Sequence, residues 1–371
     1  MNNNKEYYLP RHLFDGFLQA IQVNFDQILG PQVVDGAIQY YPLTSSVELP
    51  TGVQDQQGLG RYQLIATDSP RHFAWSNGPQ AIKPLLFAPQ DVVWVCKKEL
   101  NGQLTFEQPL QTIKTTAVLG VRACDLSALS LQDQHFIHGE YADESYKKRR
   151  DALFLIAVNC SHPSSNCFCV STGDGPQAKS GYDVVLTELD SGFILSFGTV
   201  RAERWLDAFI TQLSPVEETA RVDAEAQYQA AVAIQQRKIA AGNLETTLFS
   251  KLDDPEWQRV AEQCLACGNC TQVCPSCFCH KEEDLAPLGS ETTEHVRFWD
   301  SCFSDGHGYM AGHQSRPHIA DRYRQWMTHK LGAWQSQYGR SGCVGCGRCM
   351  TWCPAGIDFV AVANRVCQED A

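Results

Sequence analysis

Cys264-Leu-Ala-Cys267-Gly-Asn-Cys270-Thr-Gln-Val-Cys274-Pro275 decides how this chain is read, and it has a counterpart in Cys343-Val-Gly-Cys346-Gly-Arg-Cys349-Met-Thr-Trp-Cys353-Pro354. Each run has the spacing C-x2-C-x2-C-x3-C-P, the spacing that wraps a [4Fe–4S] cluster. A cubane cluster asks for one thiolate per iron. Three cysteines two residues apart supply three from a single tight loop, so the fourth must come from elsewhere. Where two such runs share a domain, the last cysteine of each serves the other cluster. The expected sets are therefore Cys264, Cys267 and Cys270 with Cys353, and Cys343, Cys346 and Cys349 with Cys274. The proline that closes each run fixes φ and lacks an N–H, so it bends the chain away from the ligand loop. Gly268, Gly345 and Gly347 are expected to let the backbone approach inorganic sulfide closely.

A single C-x2-C pair also makes tetrahedral zinc sites. Two full copies with a proline in the same place argue against zinc. Disulfides fit poorly, because 17 cysteines on a 371-residue frame are not the pattern of a small secreted scaffold. The 42 acids and 30 bases leave a formal charge of −12, which disfavours nucleic acid or an anionic membrane as a partner. The N-terminal Met1-Asn-Asn-Asn-Lys-Glu-Tyr-Tyr shows no apolar signal region. No stretch approaches the roughly 20 apolar residues of a membrane span. Together with the metal-binding cysteines, these features lead to the expectation of a reducing, cytoplasmic setting.

Outward from the cysteine runs, the chain reads as α+β. An N-terminal α/β domain, residues 1–245, precedes a helical dicluster ferredoxin-like domain with a long insert, residues 246–371. Expected strands are Gln63–Ala66, Val92–Cys96, Ala117–Val121, Leu153–Val158, Val184–Glu188 and Phe193–Phe197. Continuous apolar runs such as Leu153-Phe-Leu-Ile-Ala-Val158 suit strands buried on both faces. Expected helices are Arg11–Ile28, Leu126–Phe136 and Ala202–Gln212, with Val216–Ala241 as an exposed helix crossing to the second domain. The insert between the two runs carries His280, Cys302, His307, His313, His318 and His329. Their spacing fits no standard metal site, so they read as surface or interface groups. Arg316, Arg322 and Arg324 are candidates to pair with acids on a partner.

Four further cysteines form a third constellation. Cys124 and Cys160 are each expected to end an apolar strand, and Cys167 and Cys169 follow close behind. Neighbouring strands of one sheet can present such residues at the same edge, where α/β sheets place ligands. Four thiolates there could hold a third iron–sulfur cluster, with Asp125 as an alternative oxygen ligand. The competing reading is four buried core cysteines. Cys277 and Cys279 read as packing residues, or as part of an extra metal site with Cys302. Cys96 and Cys367 read as structural. The chain has no G-x-G-x-x-G after a strand and no G-x-x-x-x-G-K-[ST] loop.

The chain resembles the β, iron–sulfur subunit of cytoplasmic sulfhydrogenases, the NADP-linked group 3b [NiFe] hydrogenases. It is also similar to the electron-transfer subunit of anaerobic sulfite reductase. The resemblance rests on Gly120-Val-Arg-Ala-Cys-Asp-Leu126, Asn159-Cys160, Cys167-Phe-Cys169, the two cysteine runs, Cys274-Pro-Ser-Cys-Phe-Cys279, Arg297-Phe-Trp-Asp-Ser-Cys302 and Gly312-His-Gln-Ser-Arg-Pro317. It is closer to the sulfhydrogenases from Arg297 through Cys353. The family's usual pattern has proline or histidine where Arg122 or Ala123 stands here. The resemblance implies a place beside the [NiFe] small and large subunits and a flavin/NAD(P)-binding subunit. It implies a non-catalytic role, passing single electrons through [4Fe–4S] clusters. The alternative it carries is the equivalent relay in a sulfite reductase.

Overall fold

The computed structural model describes residues 5–80, 82–109, 112–239 and 242–368. Thr116–Val121 and Leu153–Val158 are buried at every position and lie side by side as parallel strands. Hydrophobic side chains alternate between the two faces, as the strand period of two requires. Phe154, Ile156 and Val158 pack into one core with Phe14, Phe17 and Trp75. Leu153, Leu155 and Ala157 pack into another with Leu126, Phe136 and Tyr146. Each fully buried side chain of this size contributes about 1.5–3 kcal/mol over leaving it in water.

These strands are the centre of an eight-stranded sheet. From edge to edge it runs Ser214–Pro215, Glu6–Pro10, Gly192–Phe197, Val184–Glu188, Leu153–Val158, Thr116–Val121, Gln27–Val34 and Ala37–Pro42. The four consecutive strands from Val184–Glu188 to Gln27–Val34 are parallel, and the flanking pairings are antiparallel. Leu153–Val158 and Val184–Glu188 have the expected bounds. The expected helix Arg11–Ile28 stops early. A short 3-10 turn leads into Phe14–Gln22, and Gln27–Val34 is a strand. Its pairing with Thr116–Val121 ends at Leu29, so Pro31, which lacks an N–H, sits where that ladder needs no donor. The expected helix Val216–Ala241 is Glu218–Ile234. Its last two positions, 240 and 241, lie outside the described residues.

After this α/β region the chain becomes mainly helical. Leu244–Ser250, Glu256–Ala261, Ile319–Thr328 and Phe359–Cys367 enclose a core that includes Leu248, Trp257, Tyr323, Trp326, Met327 and Phe359. The insert contributes a hairpin, His280–Leu285 with Thr292–Trp299. It joins Gln90–Lys98 and Leu104–Glu107 in a four-stranded antiparallel sheet, so this sheet draws strands from both sides of residue 245. Arg297 of the hairpin binds Asp91 and Asp143, and Arg149 also binds Asp91. This shared ion network anchors the insert to the α/β region. Among the described residues no helix is long and apolar enough to cross a membrane.

Candidate functional site

Each ligand loop ends by tightening into a short helix. Gly268 and Gly347 hold the left-handed conformation at the N-caps of Asn269–Gln272 and Arg348–Thr351. The glycines also have a packing reason. A Cβ on Gly345 would meet the Cys169 backbone nitrogen at 2.5 Å, and one on Gly347 would meet the Asn166 carbonyl oxygen at 2.6 Å. The Phe168 N–H donates to the Gly345 carbonyl at 2.8 Å. The second loop is thus seated on the backbone of residues 166–169. The first loop is seated on the insert, since a Cβ on Gly268 would meet Ser301 Oγ at 2.9 Å.

Cys264, Cys267, Cys270 and Cys353 line one apolar recess together with Tyr323, Trp326 and Phe359. Burial raises the pKa values of Cys264 and Cys270, and the neighbouring thiols Cys353 and Cys267 raise both further. The Ala266 N–H donates to Cys264 Sγ at 3.4 Å, and the Ile357 N–H donates to Cys353 Sγ at 3.5 Å. The Trp326 indole N–H is buried without a partner among the described residues. A sulfur-rich pocket with an orphaned N–H donor fits a sulfide-bearing anionic group. Cys267 and Leu265 keep the rim exposed.

Cys343, Cys346, Cys349 and Cys274 form a second group. Burial pushes Cys343 up to about 12, with Cys346 and Cys274 adding to the effect. Burial also raises Cys349, followed by Cys343, Cys346 and Cys274. Its surroundings are cationic. Buried Lys330 donates to Ser276 Oγ at 3.2 Å and lies 4.4 Å from the Trp334 ring centre. Burial alone would depress its pKa, but Cys274, Cys277, Cys279 and Cys343 raise it above the ordinary lysine value. Lys83 lies 3.8 Å over the Trp299 ring and donates to the carbonyls of Thr271 and Gln272. Its pKa is lowered to about 8 by burial, which Cys277 and Cys274 partly offset. Cys277 shares a hydrogen bond with Cys274, which drives Cys277 up and Cys274 down. Sequence reading missed both lysines, because nothing in their local spacing marks them. His329–Ala333 forms a π-helical turn around Lys330, an irregularity common at functional sites.

The third constellation also converges. Burial pushes Cys167 up to about 12, and Cys160 raises it further. Cys167 and Cys160 both act on Cys169, and Cys169 acts on Cys124. Cys346 of the second group acts on Cys124, Cys167 and Cys169 alike. Cys124 lies in the first turn of Ala123–Phe136 rather than on its strand, and accepts from Asn77 Nδ2 at 3.1 Å. Arg122 is fully buried and donates to the carbonyls of Phe73 and Trp75. Its Nε and Nη1 find no partner among the described residues, and its charge lowers the Cys160 pKa against the larger effect of burial. A buried cation with two spare donors near Cys160 fits an anionic group. Asp125 adds to the rise in the Cys124 pKa, after burial, and is itself engaged by an arginine. Arg348 binds both of its carboxylate oxygens, at 2.6 and 3.1 Å, in a fully buried pair.

The insert holds a fourth grouping. His313 and His318 are exposed, as expected, but the surface reading needs correction for His307 and His329. The ligand atoms of Cys279, Cys302 and His307 all lie within 4.8 Å of one another. The two sulfurs are 3.4 Å apart, and Asp300 Oδ2 lies 2.7 Å from His307 Nδ1. His318 serves in a capping box, and His329 accepts from the Trp334 indole N–H at 2.9 Å. Two of the arginines offered to a partner are used internally. Arg322 binds the carbonyls of Phe303, Arg316 and Pro317, and Arg324 binds Asp321 and the Leu252 carbonyl.

Residues 263–357 match the family model described as a 4Fe-4S dicluster domain. The chain is also similar to sulfhydrogenase 2 subunit beta of Pyrococcus furiosus. The two are 34% identical over 294 residues, which cover 76% of this chain and 82% of that relative.

Proposed function

The chain belongs to the family of sulfhydrogenase β subunits, and on that premise we propose that it relays single electrons within a soluble hydrogenase complex. The match to the dicluster domain supports iron–sulfur binding. Cys264, Cys267, Cys270 and Cys353 hold one [4Fe–4S] cluster, and Cys343, Cys346, Cys349 and Cys274 hold a second. Cys124, Cys160, Cys167 and Cys169 hold a third iron–sulfur group. When bound, such clusters supply reversible one-electron transfer. The observation that carries the reading is the position of Cys346. Its carbonyl lies 3.8 Å from Cys167 Sγ, and its side chain packs against the hydrophobic cluster that holds Cys124 and Cys169, while its thiol raises the pKa values of all three. Cys270 and Cys349 couple the first group to the second in the same way. This supports a reading in which the three groups act in series.

The protein's own contribution is positioning and electrostatics. Backbone N–H groups of Ala266 and Ile357 hold the sulfurs of the first set. Lys330, Arg348 and Arg122 supply buried positive charge to the second and third. The first recess opens at Cys267, which suits exchange with a flavin/NAD(P)-binding subunit, and the [NiFe] small and large subunits complete the complex. In this reading the isolated chain turns over neither hydrogen nor sulfite.

Anaerobic purification with iron counting and EPR tests the proposal. Three four-iron clusters give about 12 irons per chain, whereas about 8 would remove the third. Co-purification with a sirohaem protein instead of hydrogenase subunits would move the chain to the sulfite reductase reading.

A further inference from the structure

We propose that Cys279, Cys302 and His307 form a mononuclear zinc site that closes the base of the insert hairpin and is separate from the three cysteine sets above. Topology brings the three donors together. His280 and Trp299 are paired at the open end of the hairpin. Cys279 immediately precedes His280, and the Asp300 N–H donates to the Cys279 carbonyl at 3.0 Å. Cys302 follows two residues on, and the turn Asp305–Gly308 returns His307 to the same point. Three soft or borderline donors thus come from three separate backbone segments that meet at the hairpin base.

The donor chemistry is that of zinc. A tetrahedral ion with Zn–S bonds of about 2.3 Å puts two thiolate sulfurs about 3.8 Å apart, close to the 3.4 Å separation here. His307 has the second feature of a metal-ligating histidine. Asp300 accepts from its Nδ1 at 2.7 Å, which fixes the ring and leaves Nε2 for the ion. Asp300 is held in turn by Ser301 and Ser304. The residues of a mere thiol pair would need no such orienting carboxylate.

Among the described residues the group has three members. Closed structural zinc sites use four protein ligands, whereas open sites keep one position for water or another ligand. The three-ligand set is of the open type. Its place in the fold also links it to the first ligand loop. Ser301, beside Cys302, accepts from Thr271 Oγ1 at 2.8 Å, and a Cβ on Gly268 would strike the same Ser301. Ion binding would release the two thiol protons and tie the insert to the loop that carries Cys264, Cys267 and Cys270.

The test is metal analysis of the anaerobically purified full chain, with zinc and iron counted together, before and after dialysis against zinc chloride. The expected result is about one zinc per chain alongside the full iron content. Cys302→Ser and the milder His307→Asn should each lose the zinc while keeping the iron and the cluster EPR signals. X-ray absorption at the zinc edge should show two sulfur neighbours and one nitrogen. No zinc after dialysis would overturn the proposal. So would retention of zinc in both variants, or loss of iron in step with zinc in His307→Asn, which would assign these residues to a cluster. Iron content is read in the same samples, so a failure of the relay reading appears as missing iron and is distinct from a missing zinc.

Discussion

Cys264–Cys267 and Cys343–Cys346 carry the same motif, yet they are held in different surroundings. The first loop borders an apolar recess that opens at Cys267, and it leans on Ser301 of the insert. The second is wedged against residues 166–169 and sits among buried cations, with Lys330 near Cys343 and Arg348 near Cys346. Spacing selects ligands, whereas surroundings set potential and reach. Hydrogen bonds, net charge and exposure are the levers that separate clusters of one type. Two identical runs should therefore behave as two distinct redox centres.

The largest effect should come from exchanging a crossed ligand. Cys353→Ser removes a thiol from the recess of the first run while leaving the second run's three loop cysteines in place. EPR should show the first centre lost or altered and the second intact. A spectrum in which only the second centre changes would falsify the crossed assignment. Gly345→Ala comes next. It adds a Cβ 2.5 Å from the Cys169 nitrogen at a φ of +63°. Left-handed strain and overpacking together should cost about 3 kcal/mol. Anaerobic thermal melts should fall, and iron should be released first from the second and third groups, which meet at this contact. An unchanged melting temperature would mean that the two loops do not pack as described.

The motif is readable because a ligand loop is local. C-x2-C-x2-C fixes three donors within seven residues, Cys264 to Cys270, and the buried strand Leu153–Val158 is readable for the same reason. What escapes the sequence is made by distant pairing. Gln27–Val34 becomes a strand only through Ala37–Pro42 and Thr116–Val121, so Arg11–Ile28 reads as helical throughout. His280–Leu285 is polar and largely exposed, and it becomes a strand because Thr292–Trp299 bridges it to Gln90–Lys98. Cys279, Cys302 and His307 meet at the end of that hairpin, beyond the reach of any spacing rule. Lys330 and Arg122 look like ordinary surface cations until packing buries them beside thiols. In the third constellation the positions are legible but not their company. Cys346 adjoins them, while Asp125 turns to Arg348.

Lys330→Met tests the electrostatic half of the comparison. A positive charge beside a centre stabilises its more negative, reduced form. Removing it should lower the potential of the second centre by on the order of 100 mV at an effective dielectric near 20. The first centre should move far less, since the thiols that most raise the lysine's pKa are Cys274, Cys277, Cys279 and Cys343. An EPR-monitored redox titration measures both shifts in one sample. Equal shifts would mean that Lys330 does not distinguish the two.

The smallest effect comes from the position equivalent to Gly345 in the first loop. There the chain has Ala266, at a φ of +50°, in the left-handed region that side chains disfavour. Its N–H still reaches Cys264 Sγ at 3.4 Å, so the strained conformation serves the sulfur it faces. Ala266→Gly relieves the Cβ strain, which is worth about 1 kcal/mol. It also lets the unfolded chain gain freedom, which takes back about 0.4–1 kcal/mol. The net change in stability should therefore be within about 1 kcal/mol of zero, and iron retention should be unaffected. The same exchange in reverse at Gly345 is costly, because there the neighbour is backbone that cannot move aside. A large loss of stability in Ala266→Gly would show that the alanine methyl packs against something the first recess needs. The contrast between the two loops would then lie in packing on both sides rather than on one.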